Sequence, residues 1–261
     1  MSKLPVLTRL PILLALCVAS PINPVIAGPL HDAVRTGNKA AVLEAVAASQ
    51  DVNETDFFLG APLHVAVVEE RPEMVRILLE AGAEIDAPSE LEARTALHLA
   101  ADVGDEEMVL LLLQEGADPH AVDRSGKQAI HLATISGHSE VVANLLSAGV
   151  MVDSREPGEG MTPLLIASLQ GEVELVELLV SAGADIEATN ATGRTPFFFS
   201  TSMESFANVG DDKLIRYFAE RGVELAPEDN AGITPLQWAR SRNVPIYDEI
   251  AEILTGMGIE R

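Results

Sequence analysis

The chain has 261 residues, 48% of them hydrophobic and only 4% aromatic, with a formal net charge of −23. That length can bury a sizeable core, and the core must be built from Leu, Val, Ile and Ala rather than from rings. The charge argues against nucleic acid or an anionic membrane as a partner, because both would be repelled.

Residues 1–27 stand apart from the rest of the chain. Lys3 and Arg9 precede or open an apolar run, Leu10 to Ala19, that is too short to span a bilayer. Ser20-Pro21-Ile22-Asn23-Pro24 then breaks any helix, and Val25-Ile26-Ala27 offers small residues where a signal peptidase reads. The layout predicts a secretory signal peptide cleaved after Ala27. Cys17 follows Leu14-Ala15-Leu16, and Leu at a place where a lipidation signal wants a small residue counts against lipidation. Cys17 is the only cysteine, so the processed chain needs no disulfide and tolerates an oxidising compartment. The expected destination is outside the cytoplasm, in a bacterial periplasm.

From Gly28 onward one short string recurs seven times with erosion. Its copies are Gly28-Pro29-Leu30-His31-Asp32-Ala33, Ala61-Pro62-Leu63-His64-Val65-Ala66, Thr95-Ala96-Leu97-His98-Leu99-Ala100, Gln128-Ala129-Ile130-His131-Leu132-Ala133, Thr162-Pro163-Leu164-Leu165-Ile166-Ala167, Thr195-Pro196-Phe197-Phe198-Phe199-Ser200 and Thr234-Pro235-Leu236-Gln237-Trp238-Ala239. The copies start near residues 28, 61, 95, 128, 162, 195 and 234, with steps of 33, 34, 33, 34, 33 and 39.

Each part of the string has a physical role. A Thr hydroxyl accepts from the free N–H groups that open a helix. Pro at the first helical position gives up an N–H that had no partner there. Six residues after the His position, Gly37, Gly104, Gly137 or Gly171 closes this first helix in a left-handed turn. A second helix follows, as in Glu172 to Leu179, with apolar residues at helical spacing. It ends at a small residue and Gly, as in Ala81-Gly82 or Ala182-Gly183, and a polar hairpin leads to the next copy. One unit cannot bury its own apolar faces, whereas a stack can.

The period and the hexapeptide together resemble the ankyrin repeat, over residues 28–261. The resemblance implies an all-α solenoid of about seven helix-turn-helix repeats with hairpin fingers. It also implies a protein–protein interaction module rather than an enzyme. Several places depart from the pattern. Glu70 stands where the family has Gly, so that turn must be strained or rebuilt. Six extra residues lie within Thr201 to Val209 of the sixth repeat, as a longer helix or a loop over one face. Asn243 takes the Gly position in the seventh repeat.

Catalytic constellations are missing: there is no His-Glu-x-x-His, no phosphate-binding Gly loop and no Gly-x-Ser-x-Gly. No catalytic residue, metal ligand or cofactor is therefore assigned. His31, His64, His98 and His131 occupy the motif position, where the imidazole is expected to bridge backbone groups between repeats. His120 and His138 are isolated. Asp118, Asp123 and Asp185 fall in turns, where short carboxylates bond to N–H groups.

The remaining function lies in the surface. In the family, the two residues before the turn Gly face a concave groove. Here these positions put Val68, Glu69, Asp102, Val103, Ile135, Leu169 and Gln170 among the candidate partner contacts. Val68, Val103, Ile135 and Leu169 would form an apolar stripe. Phe57 and Phe58, adjacent aromatics in the first hairpin, cannot both turn inward, so an exposed anchor is expected there. Hairpin carboxylates Glu90, Glu92, Asp123, Glu156, Glu159 and Glu228 would make an acidic rim. The expected partner is another protein with a basic surface, held by a monomer with no membrane contact after processing. Readings open at this point are a periplasmic adaptor or scaffold, an inhibitor or immunity protein neutralising a basic toxin or lytic enzyme, and an accessory to an envelope oxidative-stress enzyme.

Overall fold

The computed structural model describes residues 28–57, 59–202, 212–242 and 245–259. The signal peptide expectation, Phe58, most of the sixth-repeat insertion and Asn243 lie outside the described residues.

Fourteen helices are described. They come in pairs: α1 (Pro29–Thr36) and α2 (Lys39–Ala47), α3 (Pro62–Val68) and α4 (Pro72–Glu80), α5 (Ala96–Val103) and α6 (Glu106–Gln114), α7 (Ala129–Ile135) and α8 (Ser139–Ser147). Next come α9 (Pro163–Gln170) and α10 (Val173–Ser181), α11 (Pro196–Ser200) and α12 (Lys213–Glu220), and α13 (Pro235–Arg240) and α14 (Pro245–Gly256). Among the described residues the only β pairing is an isolated bridge between Asp56 and Gly60. None of the helices is long and apolar enough to cross a membrane.

The inner helices α1, α3, α5, α7, α9 and α11 pack in that order, each of the first five against its successor in this series, and each of the six is backed by its outer partner. One apolar cluster therefore runs through the stack, from Leu30 to Ile259. Its members are mostly Leu, Val and Ala, and Ala66, Ala100, Ala133 and Ala167 are fully buried. An Ala at that position lets adjacent inner helices approach closely.

Local chemistry sets the helix ends. Thr162, Thr195 and Thr234 accept from the N–H three residues on, at 3.3, 3.2 and 3.3 Å. Gly37, Gly104 and Gly171 close α1, α5 and α9 with φ of 69°, 85° and 76°. The turn at Glu70 keeps the same geometry without a glycine: Glu70 has φ 51°. The fold thus absorbs strain here rather than rebuilding the turn, since an L side chain in this region crowds its own carbonyl.

Candidate protein-binding surface

Side chains that could carry chemistry are largely spent on joining repeats. His31 Nε2 lies 2.9 Å from the Gly60 carbonyl, His64 Nε2 3.0 Å from that of Arg94, His98 Nε2 3.0 Å from that of Lys127, and His131 Nε2 3.1 Å from that of Ser154. All four rings are buried. Nδ1 of His64, His98 and His131 accepts from the N–H of Ala61, Thr95 and Gln128, the residue that opens each helix. A carbonyl can only accept and an N–H only donate, so the imidazole is held neutral with its proton on Nε2. Burial pushes the pKa of these three histidines below the ordinary value, against the opposite pull of the carbonyl bonds. The expected bridge between repeats is what the structure shows.

The hairpins are each closed from within. Asp123 Oδ1 accepts from the N–H groups of Ser125 and Lys127 at 2.8 and 2.9 Å. Glu156 accepts from Gly158, Glu159 and Met161, and Asp229 from Ala231 and Ile233. Burial raises the pKa of these three carboxyls, but the bonds they accept outweigh it and hold each below the usual carboxylate range. Asn190 takes the same place in its turn, accepting from Thr192 and Arg194.

This geometry corrects the expected acidic rim. Asp123 and Glu156 are buried within their own turns. Glu92 pairs with Arg94 at 2.7 Å, and Glu90 accepts from Thr55 at 3.0 Å. Glu90, Glu159 and Glu228 remain exposed. Exposed acid is concentrated instead on the outer helices, at Glu73, Glu106, Glu107, Glu140, Glu174 and Glu177.

The expected apolar stripe is also only partly formed. Val103 is 47% exposed, whereas Val68, Ile135 and Leu169 are half-buried. Ile135 and Leu169 pack on a second apolar cluster of Met161, Leu165, Ile166 and Phe199. This cluster forms where Leu165 replaces the bridging histidine, so the hydrogen bond is exchanged for apolar contact. Gln170 donates to the Ile135 carbonyl at 2.8 Å, and Glu69 is half-buried. Asp102 is held inside the stack, accepting from Arg94 at 2.9 Å and from the Ser136 hydroxyl at 3.0 Å. Its carbonyl lies 3.1 Å from His138 Nε2, so His138 is not isolated. Phe57 is 54% exposed at the first hairpin.

One cluster went unread in the sequence. The single tryptophan, Trp238, lies between two guanidiniums, Arg194 at 4.1 Å and Arg242 at 3.7 Å from its ring centre. Arg194 also covers Phe198 at 4.7 Å and pairs with the buried Asp229 at 3.2 Å. The signal was present: Phe198 and Gln237 both abandon the histidine at the motif position.

Among the described residues, no group of three or more His, Cys, Asp or Glu side chains is placed to hold a metal ion.

Models of ankyrin repeats match this chain at residues 63–113, 97–190 and 136–224. The B-cell lymphoma 3 protein homolog of Mus musculus is 31% identical over 226 residues, covering 83% of this chain and 48% of that protein. The nuclear factor NF-kappa-B p105 subunit of Gallus gallus is 34% identical over 215 residues, covering 76% of this chain and 22% of that one. This chain therefore spans less than half the length of these relatives. Among solved structures, the ankyrin repeat domain of Bcl-3 superposes with TM-score 0.71 at 27% identity, over 87% of this chain and 98% of that one. The human ASB11 ankyrin repeat domain reaches 0.72 at 24% identity, over 87% and 98%, a likeness of fold.

Proposed function

The chain belongs to the ankyrin-repeat family, and we propose that it is a non-enzymatic binding module, an exported adaptor or scaffold that holds another protein in the bacterial periplasm. The observation that carries this reading is the use of the buried histidines. The four at the motif position serve as staples between repeats: each Nε2 meets a carbonyl of the next repeat, and Nδ1 of His64, His98 and His131 is taken by a helix-opening N–H. What the molecule offers to the outside is a long, regular surface with isolated apolar points, Phe57 and Val103 among them. Such surfaces suit protein recognition.

The partner in this reading carries a basic surface, because the exposed carboxylates of the outer helices and connectors set the field. The acid lies mainly outside the hairpin rim, so the contact extends beyond the groove. Export rests on the N-terminal pattern of Lys3, Arg9 and the Leu10 to Ala19 run.

The test is affinity capture from periplasmic extract with residues 28–261, followed by titration of the purified partner with wild type and Phe57→Ser. A single basic protein retained at low salt, bound directly and weakened by Phe57→Ser, supports the reading. Retention of nothing specific at either salt overturns it.

A further inference from the structure

The connectors that lead from each outer helix to the next hairpin carry their own ladder. At four steps, a side chain four residues past the helix-ending turn accepts from the backbone N–H two residues past the next such turn. Asn53 accepts from Glu84 at 2.8 Å, Asp86 from Asp118 at 3.0 Å, Asp153 from Asp185 at 3.2 Å, and Glu187 from Glu224 at 3.1 Å. The same register brings His120 opposite the N–H of Met151, and there His120 stands where the other steps have Asn, Asp or Glu.

The donor position is the more telling one. Asp51, Glu84, Asp118, Asp185 and Glu224 occupy it in the other connectors, all exposed. Met151 interrupts this file of carboxylates and is 68% exposed, the most of the large apolar side chains described; Val122, two residues beyond His120, is 55% exposed. The nearby Arg124 and Arg155 keep their charge, but these two cations are outnumbered by the five carboxylates of the file and are turned to backbone carbonyls. Arg124 Nη2 donates to Glu90 at 2.7 Å, and Arg155 Nη1 to Gly160 at 2.9 Å and Thr189 at 2.6 Å. The seam needs no help from Met151, since Asp102, Ser136 and His138 already join these repeats.

We propose that Met151, with Val122, is an apolar anchor set in an acidic edge, and that it receives a cationic protein segment carrying an apolar side chain between its Lys or Arg residues. This rests on the proposal that the partner is basic, and names where that partner docks. Neighbouring carboxylates of the file stand about 10 Å apart, the spacing of packed helices, so cations on either side of the apolar residue meet acid while the residue covers the thioether.

The test uses two labelled peptides, one of lysine and leucine and one of lysine and serine, titrated by fluorescence anisotropy into residues 28–261. Wild type should bind the leucine peptide about ten-fold more tightly than the serine peptide, the return expected for burying one apolar contact. Met151→Asp, which restores the carboxylate of the other connectors, should close that gap with Tm unchanged, and Val122→Ser should narrow it. Equal binding of both peptides by wild type, or a gap that survives Met151→Asp, overturns the anchor while leaving a basic partner in place. Binding of neither peptide at low salt overturns both.

Discussion

The imidazole of His138 fills the space that a side chain on Gly104 would need. A Cβ built at Gly104 comes 2.5 Å from both Cε1 and Nδ1 of His138, while His138 Nε2 reaches the Asp102 carbonyl at 3.1 Å. Gly104 also has φ 85°. Gly104→Ala should therefore lower stability by about 2 kcal/mol, from overpacking and an unfavourable φ together. Adding His138→Ala should recover the overpacking part only. Urea denaturation of the single and double variants checks this, and additive losses would contradict the contact.

Glu70 gives the opposite case. It holds a left-handed conformation, φ 51°, and is exposed, so glycine removes strain there without removing a core contact. Glu70→Gly should raise stability by about 1 kcal/mol, seen as a higher urea midpoint at unchanged slope. A fall in the midpoint would mean the side chain contributes more than its conformation costs.

Stability should depend on the buried histidines as pH falls below about 6.5. Burial holds His64, His98 and His131 below the ordinary value, so the unfolded chain takes up protons that the folded chain refuses. Their contribution is complete above the unfolded value of about 6.5 and is lost as pH falls below it. An imidazolium also cannot accept the helix-opening N–H at Nδ1. His131→Gln should flatten the slope by up to one proton. Gln237 shows that Gln suits this position, since its Oε1 accepts from the Thr234 N–H at 3.0 Å. Asp123, Glu156 and Asp229 are held low instead, so their contribution is present above about pH 4 and lost only below it. Thermal melts across pH for wild type and His131→Gln decide the matter.

Trp238 provides a local probe. With Arg194 and Arg242 stacked on its faces, its fluorescence reports the C-terminal repeats. Arg194→Ala removes one face and leaves the buried Asp229 without its guanidinium, though the carboxylate keeps the N–H bonds of Ala231 and Ile233. A loss of about 1–2 kcal/mol is expected. The tryptophan transition should move to lower urea than the circular dichroism transition, because a solenoid can open from one end. Coincident transitions would argue that the stack unfolds as one unit.

Much of the fold is legible in the sequence. The seven-fold string marks the repeats, the glycine positions mark the turns, and the family resemblance places the histidines of the first four copies between neighbours. The acidic rim was misjudged for a specific reason. Asp123 and Glu156 look like surface charge in a polar stretch, yet a turn leaves N–H groups that only a nearby side-chain oxygen can satisfy, and these carboxylates turn inward to do so. Asp102 was read as a contact for a partner because its position faces the groove; Arg94, eight residues earlier, captures it instead. Pairing of that kind depends on side-chain reach across a hairpin, which spacing alone does not report.

By itself the sequence determined the class of fold, the number and phase of the repeats, and the glycines at which the inner helices turn left-handed. These are local matters, decided by periodicity, by the φ freedom of glycine and by caps within a few residues. Tertiary structure alone decided which charges are spent and which are free. His138 reaches back 36 residues to Asp102, Arg194 reaches forward 35 to Asp229, and Asp86 and Asp153 each tie their connector to the next. Whether a polar side chain faces water or a backbone group of the next repeat depends on how the repeats stack, and that stacking is set by the summed burial of the whole core.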